Sequence, residues 1–138
     1  AAKMGAAWSG KAEDVEESMA SRCPLGLDVV FECAGDNDAI DQAARLLAPG
    51  GLLVLVGIPE GDRISFDMNY LRRKELRVQN VRRQNGCTRR AVELTASGRA
   101  NLDPIVTHRY EFDRSQEAFD TVSRYADGVV KAMIDMVG

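Results

Sequence analysis

The sequence has few of the residues from which most catalytic sites are built. It contains 1 histidine, 3 cysteines, 1 tryptophan and 4 prolines in 138 residues. The single histidine, His108, has no companions for a hydrolytic triad, and no G-x-S-x-G nucleophile motif occurs. Cys23, Cys33 and Cys87 lack metal-ligand or disulfide spacing, and with one histidine they do not form a catalytic zinc site by themselves. The sequence given therefore holds no complete catalytic apparatus.

Long apolar runs and a charge excess of one sign are also missing. No stretch approaches the roughly 18 apolar residues that a membrane-spanning helix needs, and the first residues lack the pattern of a signal peptide. The formal net charge is −3, and the arginine pairs at 72–73, 82–83 and 89–90 are too few to offset the acidic residues elsewhere in the chain. An odd number of cysteines is typical of a reducing compartment. We therefore expect a cytoplasmic protein that binds neither nucleic acid nor membrane.

Neither of the common glycine-rich phosphate-binding loops is complete. The dinucleotide motif G-x-G-x-x-G does not occur. Residues 5–12 come close to the G-x-x-x-x-G-K-[ST] loop, but Ala12 has no hydroxyl for magnesium and Trp8 is bulky for a loop that wraps phosphate. We interpret this near match as chance.

Two apolar segments that both end at small residues are the most informative feature of the sequence. Residues 28–35 (DVVFECAG) and residues 52–57 predict two strands, with a helix over 36–48 between them. Strands that are apolar on both faces are typical of a parallel sheet covered by helices on each side. Ligands of such sheets bind beyond the carboxyl ends of the strands. Gly35 and Gly57 therefore predict one edge of a binding crevice that a flat ligand can approach closely.

Alternating helix and strand patterns continue along the chain and predict an α/β fold. Strands are predicted over 6–9, 27–33, 52–56, 76–83, 105–112 and 129–136. Helices are predicted over 11–23, 36–48, 67–75, 88–97 and 113–124. Asp36 or Asp38 is expected to cap the second of these helices. The polar character of 76–83 favours the edge of a sheet.

The helix predicted over 113–124 carries two further expectations. Asp113 and Gln116 have the spacing of a capping box at its beginning. Ala118, Phe119 and Val122 are expected to form its buried face.

A few side chains are candidates for function on their position alone. Glu32 and Cys33, at the end of the first apolar strand, could be catalytic, but we favour a semi-buried acid and a packed thiol. His108 is interpreted as a strand residue that makes a local hydrogen bond. Arg82 and Arg83 are adjacent on a predicted strand and would point to opposite faces, so one of them is expected to reach the crevice.

A series of segments gives the chain a strong resemblance to one enzyme family. The segments are 28–35 (DVVFECAG), 47–51 (LAPGG), 55–59 (LVGIP), 73–75 (RKE), 81–85 (VRRQN), 106–112 (VTHRYEF), 116–119 (QEAF) and 128–132 (GVVKA). They stand in family order and cover nearly the whole chain. The chain resembles the C-terminal half of the zinc-dependent medium-chain dehydrogenases, in particular the polyol group that includes sorbitol, L-iditol and xylitol dehydrogenases.

The resemblance implies a Rossmann-like parallel sheet with flanking helices, truncated at its N-terminal side. In such enzymes the catalytic domain with its zinc ligands, the first strands and the glycine turn come earlier in the chain. Residues 1–104 would be a partial dinucleotide-binding domain, and residues 105–138 a C-terminal segment that returns towards the catalytic domain. The opening residues read as the last turn of a helix stopped by Gly5, which fits a chain cut from a longer protein.

The resemblance also implies a cofactor site and a substrate site. The parent enzyme would use NAD and zinc to oxidise a polyol or alcohol, with the zinc ligands outside this chain. The positions that match nicotinamide-side contacts are Cys33, Ala34, Gly35, Val56, Gly57, Ile58, Asn80, Val81 and Arg82. Arg82 also matches a substrate-hydroxyl contact, and Arg83 stands where the family often has a tyrosine, which leaves the substrate open. The strand over 76–83 resembles the one that pairs two subunits of such enzymes, which implies a homo-oligomer.

Three other interpretations stay open from the sequence. The isolated chain could be a non-catalytic folding and dimerisation module, because the pyrophosphate turn is missing. An S-adenosylmethionine-dependent methyltransferase also has an aspartate-led strand, a helix that ends in Pro-Gly-Gly and an apolar strand, although residues 33–35, 56–59 and 106–112 argue against it. A zinc-free quinone reductase of the same superfamily would prefer NADPH.

Overall fold

The computed structural model describes residues 1–82 and 85–136, which divide into two compact units. One unit spans residues 10–85, and the other contains residues 1–9 and 86–138. The predicted α/β class is confirmed, because both units combine helices with parallel strands. The domain division at residue 104, which the family resemblance implies, stays a prediction.

Apart from the strand predicted over 6–9, the helices and strands follow the predicted order, with bounds that differ by up to five residues. The α-helices are α1 (Val15–Arg22), α2 (Asn37–Leu46), α3 (Met68–Arg73), α4 (Thr88–Ala96) and α5 (Ser115–Ser123). The strands are β1 (Leu27–Glu32), β2 (Leu47–Leu55), β3 (Arg77–Asn80), β4 (Val106–Glu111) and β5 (Lys131–Asp135). The strand predicted over 6–9 is wrong, because those residues form an irregular segment. This irregular segment comes after a 3₁₀ turn, Ala2–Met4, which ends at Gly5 in the left-handed conformation (φ 86°).

The strands β1, β2 and β3 form a parallel sheet in that order. Val30 pairs with Leu53, and Leu53 pairs with Val78. Parallel neighbours need a crossover connection, which α2 supplies between β1 and β2 and the segment with α3 supplies between β2 and β3. The predicted parallel arrangement of the two apolar strands is confirmed. The polar strand β3 lies at an edge of this sheet, as predicted, and its four residues are exposed.

Helix α2 covers one face of this sheet and supplies its core. Ile40 packs with Leu53 and Leu55, and Ile40 and Leu53 are 2% and 0% exposed. Burying an Ile or Leu side chain contributes about 1.5–3 kcal/mol, so these contacts hold α2 on the sheet. Asp36 caps α2 as predicted, since its Oδ1 accepts a hydrogen bond from the N–H of Ala39 at 2.8 Å.

The other face of β1 is open. Neighbouring strand residues alternate between faces, so Val29 and Phe31 point away from the face that carries Val30 and packs under α2. Val29 and Phe31 are 42% and 66% exposed. The prediction that helices cover both faces of the sheet is therefore wrong for β1, because α2 packs on one face only.

An ion pair joins α1 to α2. Arg45 donates from Nε and Nη2 to Oε1 of Glu16, at 3.0 and 2.9 Å. The hydrogen bond from Arg45 lowers the pKa of the Glu16 carboxyl, and the same contact raises the pKa of the Arg45 guanidinium. Both side chains are nearly half exposed, so the pair contributes little to stability.

Lys74, in the middle of the segment 73–75, caps the C-terminal end of α2. Its Nζ donates to the carbonyls of Arg45 at 3.0 Å and Leu47 at 2.5 Å, and lies 4.8 Å from the ring centroid of Tyr70. The carbonyl of Lys74 accepts from the N–H of Gly50 at 2.7 Å. A lysine at this place satisfies carbonyls that the last turn of a helix leaves without partners.

In the other unit, β4 and β5 form a parallel pair against which α5 packs. The hydroxyl of the buried Tyr110 donates to Oγ1 of Thr121 at 2.9 Å. Ala118 is buried as predicted, but Phe119 and Val122 are 68% and 45% exposed, so that part of the predicted face is wrong. The inner face of α5 carries Ala118 and Thr121, which lie three residues apart on the same side of the helix.

The predicted capping box of Asp113 and Gln116 does not form. A 3₁₀ turn, Phe112–Arg114, precedes α5 and takes up the position where the helix was expected to begin. Because α5 begins at Ser115, Gln116 lies in its first turn, and its Nε2 donates to Oδ1 of Asp120 at 3.1 Å.

The interpretation of His108 as a strand residue with local hydrogen bonds is confirmed. It lies in β4, with Nδ1 at 2.9 Å from Oγ1 of Thr107 and Nε2 at 3.2 Å from Oδ2 of Asp127. Asp127 has a left-handed backbone (φ 52°), so this contact helps to hold the turn that leads into β5.

Candidate functional site

The three parallel strands of the unit 10–85 end side by side. Glu32, Leu55 and Asn80 are opposite one another across β1, β2 and β3. The pairing continues for one residue, since the N–H of Val81 donates to the carbonyl of Leu55 at 3.1 Å. The segments that follow the strands therefore leave the sheet together at its carboxyl-terminal end. Open parallel sheets bind their ligands at this end.

Glu32 joins the ends of β1 and β2. Its carboxylate Oε1 accepts hydrogen bonds from the N–H of Ala34 at 2.5 Å and of Gly35 at 2.7 Å. Its backbone carbonyl accepts from the N–H of Val56 at 2.8 Å and of Gly57 at 3.0 Å. The interpretation of Glu32 as an acid held within the structure is confirmed, and its burial, at 4% exposed, is more complete than predicted.

Gly35 and Gly57 bring the two turns into close contact. Gly35 has φ +82°, and a Cβ there would lie 2.6 Å from the carbonyl oxygen of Ile58. A Cβ at Gly57 would lie 2.7 Å from Cα of Gly35 and from Oε2 of Glu32. Both glycines are therefore required by the packing of the turns against each other, before any ligand is considered.

A cavity of about 240 Å³ lies beside these strand ends. Four of the predicted cofactor positions line it, namely Gly35, Gly57, Asn80 and Val81, together with Glu32 and with Asp62 from the loop after β2. Ligand pockets usually measure about 300–1,000 Å³, so this cavity has room for one small group rather than a whole dinucleotide.

The other predicted cofactor positions are exposed around the same edge. They are Cys33, Ala34, Val56, Ile58 and Arg82. The interpretation of Cys33 as a packed thiol is wrong, because β1 ends at Glu32 and the chain has left the sheet at the next residue. Arg83, the second substrate candidate, lies outside the described residues.

Arg82 does not lie on a strand. β3 ends at Asn80, opposite the last residue of β2, Leu55, so the ladder has no partner for a longer β3. The expected alternation of Arg82 and Arg83 across the sheet is therefore wrong for Arg82. The side chain of Arg82 is exposed beyond the strand end.

Sequence reasoning missed the contacts that fix the loop after β2. The side chain of Asn37 donates from Nδ2 to Oγ of Ser65, and the N–H of Ser65 donates to Oδ1 of Asn37 at 3.4 Å. These contacts tie the loop over 57–66 to the first turn of α2. Nothing in the local sequence signals a pair that lies 28 residues apart. For Glu32, the available signal was an acid at the end of an apolar strand.

The described residues contain no group of three His, Cys, Asp or Glu side chains that could hold a metal ion. No zinc ligand is therefore assigned to the part of the chain that the structure covers. Within the same residues, no helix has both the length and the apolar character needed to cross a membrane.

We expect Gly57→Ala to lower the free energy of unfolding by roughly 1–3 kcal/mol, because the new methyl group would overlap Glu32 and Gly35. The matched control is Gly61→Ala, whose Cβ would have its nearest contact at 3.8 Å, with the carbonyl of Arg63. The control is expected to change stability by less than about 0.5 kcal/mol. Urea unfolding of this chain measures both values, and equal effects would contradict the close contact of the two turns.

Comparison with known proteins identifies the family of this chain. Residues 1–97 match the family model of the zinc-binding dehydrogenases. A candidate D-xylulose reductase of Rhizobium meliloti (strain 1021) is 41% identical over 111 residues, which make up 80% of this chain and 32% of that protein. Sorbitol dehydrogenase 1 of Saccharomyces cerevisiae is 34% identical over 108 residues, which make up 78% of this chain and 30% of that protein.

A solved structure agrees with these relatives. The structure of a candidate zinc-binding dehydrogenase from Sinorhizobium meliloti 1021 bound to NADP is 33% identical, with a TM-score of 0.70 over 82% of this chain and 33% of that one. The chain thus spans about a third of the length of the proteins that it matches. The resemblance seen in the sequence is confirmed: the chain belongs to the zinc-binding dehydrogenase family.

Proposed function

We propose that this chain is the nicotinamide-side part of a longer, NAD-dependent and zinc-dependent polyol dehydrogenase. The whole enzyme would oxidise a secondary hydroxyl of a small polyol or alcohol to a ketone. Family membership supports this proposal, as do relatives named for xylulose and sorbitol. Family membership also removes the methyltransferase interpretation.

One observation carries the proposal: three parallel strands end at residues that lie opposite one another, next to the close contact between Gly35 and Gly57. A carboxamide has both hydrogen-bond donors and acceptors, which backbone groups at strand ends can satisfy without charged side chains. The strand ends offer backbone groups beside the small residues Ala34, Gly35 and Gly57, so these residues fit a flat amide-bearing ring. The proposed cofactor positions are those that the family resemblance implies: Cys33, Ala34, Gly35, Val56, Gly57, Ile58, Asn80, Val81 and Arg82.

Hydrogen bonds inside the chain narrow down which backbone groups would serve the cofactor. The N–H groups of Val56 and Gly57 already donate to Glu32, and the N–H of Val81 donates to Leu55. In a trans peptide the carbonyl points opposite to the N–H of the same plane. The carbonyl of Val56, which shares a peptide with the N–H of Gly57, therefore points away from Glu32 and would act as an acceptor.

A bound oxidised nicotinamide would supply the acceptor for the hydride that leaves the alcohol carbon. In this proposal the chain orients that ring, and Ile58, at 68% exposed, offers an apolar surface against it. Arg82 would donate to a substrate hydroxyl, with Arg83 as the neighbouring candidate from the family resemblance. No step is assigned to zinc, because the described residues hold no set of three ligands, and its ligands are proposed to lie in the longer protein.

Strand β3 supports the proposal of a homo-oligomer through residues 76–83. It lies at an edge of the three-stranded sheet, with its residues exposed. Soluble proteins usually cover such an edge or pair it with another strand. By itself the chain would then be a dimerisation module without activity. A cytoplasmic location remains part of the proposal.

The test of the proposed function is an assay of the full-length protein with sorbitol and xylitol, using NAD and NADP separately. We expect a higher kcat/KM with NAD, by at least about tenfold, which is roughly 1.4 kcal/mol of discrimination. The structure of the Sinorhizobium meliloti relative was solved with NADP, so both cofactors belong in the assay. Quinone reduction with NADPH and no polyol oxidation would favour the quinone reductase instead.

Arg82→Ala in the full-length protein is expected to lower kcat/KM for polyols by about 10- to 100-fold, because a hydrogen bond from a charged group is worth about 1.5–3 kcal/mol. Arg90→Ala is the matched control, since Arg90 is an exposed arginine on α4. Its kcat/KM should stay within about twofold of the wild-type value. Unchanged kinetics in Arg82→Ala would remove Arg82 from the active site.

The isolated chain is expected to bind NAD with a Kd weaker than about 1 mM, because its sequence has no G-x-G-x-x-G turn for the pyrophosphate. Isothermal titration of the chain measures this value, with the full-length protein as the positive control. A micromolar Kd for the chain alone would contradict the assignment of the pyrophosphate site to the longer protein.

A further inference from the structure

Glu32 is the one buried charged side chain among the described residues, and the proposed chemistry does not use it. A buried carboxylate needs an ion pair or hydrogen bonds to offset its lost hydration. Here the consecutive N–H groups of Ala34 and Gly35 both donate to its Oε1. Successive backbone N–H groups of this kind form an anion-binding nest, and the anion in this nest is the chain's own carboxylate.

This nest fixes the direction of two backbone carbonyls. The described peptide bonds are trans, so each carbonyl points opposite to the N–H of the same plane. Because the N–H groups of Ala34 and Gly35 turn towards Oε1, the carbonyls of Cys33 and Ala34 point away from Glu32. Cys33 and Ala34 are both exposed, so a ligand can reach this part of the turn.

We propose that Glu32 is a positioning residue of the cofactor site, an inference that rests on the proposed function. Its carboxylate aims the carbonyls of Cys33 and Ala34 at N–H or O–H donors of the cofactor, either the carboxamide or a ribose hydroxyl. Its backbone carbonyl holds Val56 and Gly57, so the second turn stays in register with the first. Glu32 thereby fixes the direction of backbone carbonyls at the ends of both β1 and β2.

Two variants separate this role from a purely structural one. Glu32→Gln keeps an oxygen that can accept both N–H groups but removes the charge. Glu32→Ala removes the acceptor, so the peptide planes of 33–35 lose the contact that orients them. Glu17→Ala, at an exposed acid on α1, is the matched control.

The experiment uses the full-length protein and measures the Kd for NAD and NADP by fluorescence titration, together with kcat at saturating cofactor. Circular dichroism checks that each variant is folded at the assay temperature. We expect Glu32→Ala to raise the Kd at least about tenfold while kcat changes less than about threefold, because uniform binding is lost rather than the chemical step. Glu32→Gln should restore the Kd to within about threefold of wild type, and Glu17→Ala should leave it unchanged.

The outcomes separate the two proposals. Wild-type protein that binds neither NAD nor NADP overturns the proposed function and this inference with it. Wild-type protein that binds, together with a folded Glu32→Ala variant that binds equally well, overturns the inference alone. A Glu32→Gln variant as weak as Glu32→Ala would assign the effect to the charge, and that result also overturns the positioning role.

Discussion

The register in which β1, β2 and β3 pair is the constraint on which the rest of the unit 10–85 depends. Parallel pairing places Glu32, Leu55 and Asn80 opposite one another, so three chain segments leave the sheet at one edge. A shift of the pairing by one residue would move the side chains of a strand to the other face. Leu53 would then leave the core under α2, and Glu32 would lose its place beside the second turn. The core and the candidate site are thus fixed by the same register.

The candidate site is built mainly from backbone, which explains how a sequence with so few catalytic residue types can carry one. Gly35 and Gly57 allow the turns to touch, and Glu32 bonds to both. Side chains enter at the margins, with Ile58 and Arg82 exposed beside the turns. Catalytic sequence motifs consist of particular side chains. A site built from backbone leaves little trace in the sequence beyond small residues at strand ends.

Sequence patterns predicted the parts of this structure that depend on short-range periodicity and on caps. The apolar strands, the helix capped by Asp36 and the edge position of β3 all follow from local sequence. The exposed face at Phe31 was not predictable, because the apolar pattern records what a strand can bury and not what lies over it. The link between Asn37 and Ser65 depends on the path of a whole loop. The resemblance to a family supplied the cofactor positions, whereas periodicity alone predicted an edge.

Under the proposed function, the hydrogen bonds at the strand ends favour one part of a dinucleotide over another. Phosphate groups are bound by backbone N–H donors, usually at a helix N-terminus or a glycine turn. Here the N–H groups of Ala34, Gly35, Val56, Gly57 and Val81 are all taken up inside the chain. The carbonyls of Cys33, Ala34 and Val56 share peptides with three of these N–H groups and point away from Glu32. Carbonyls are acceptors and would repel a phosphate. Donor-bearing groups such as a carboxamide N–H₂ or a ribose hydroxyl complement them. Packing alone already requires the small residues at the strand ends, so for the proposed function the direction of these peptide planes is the stronger argument.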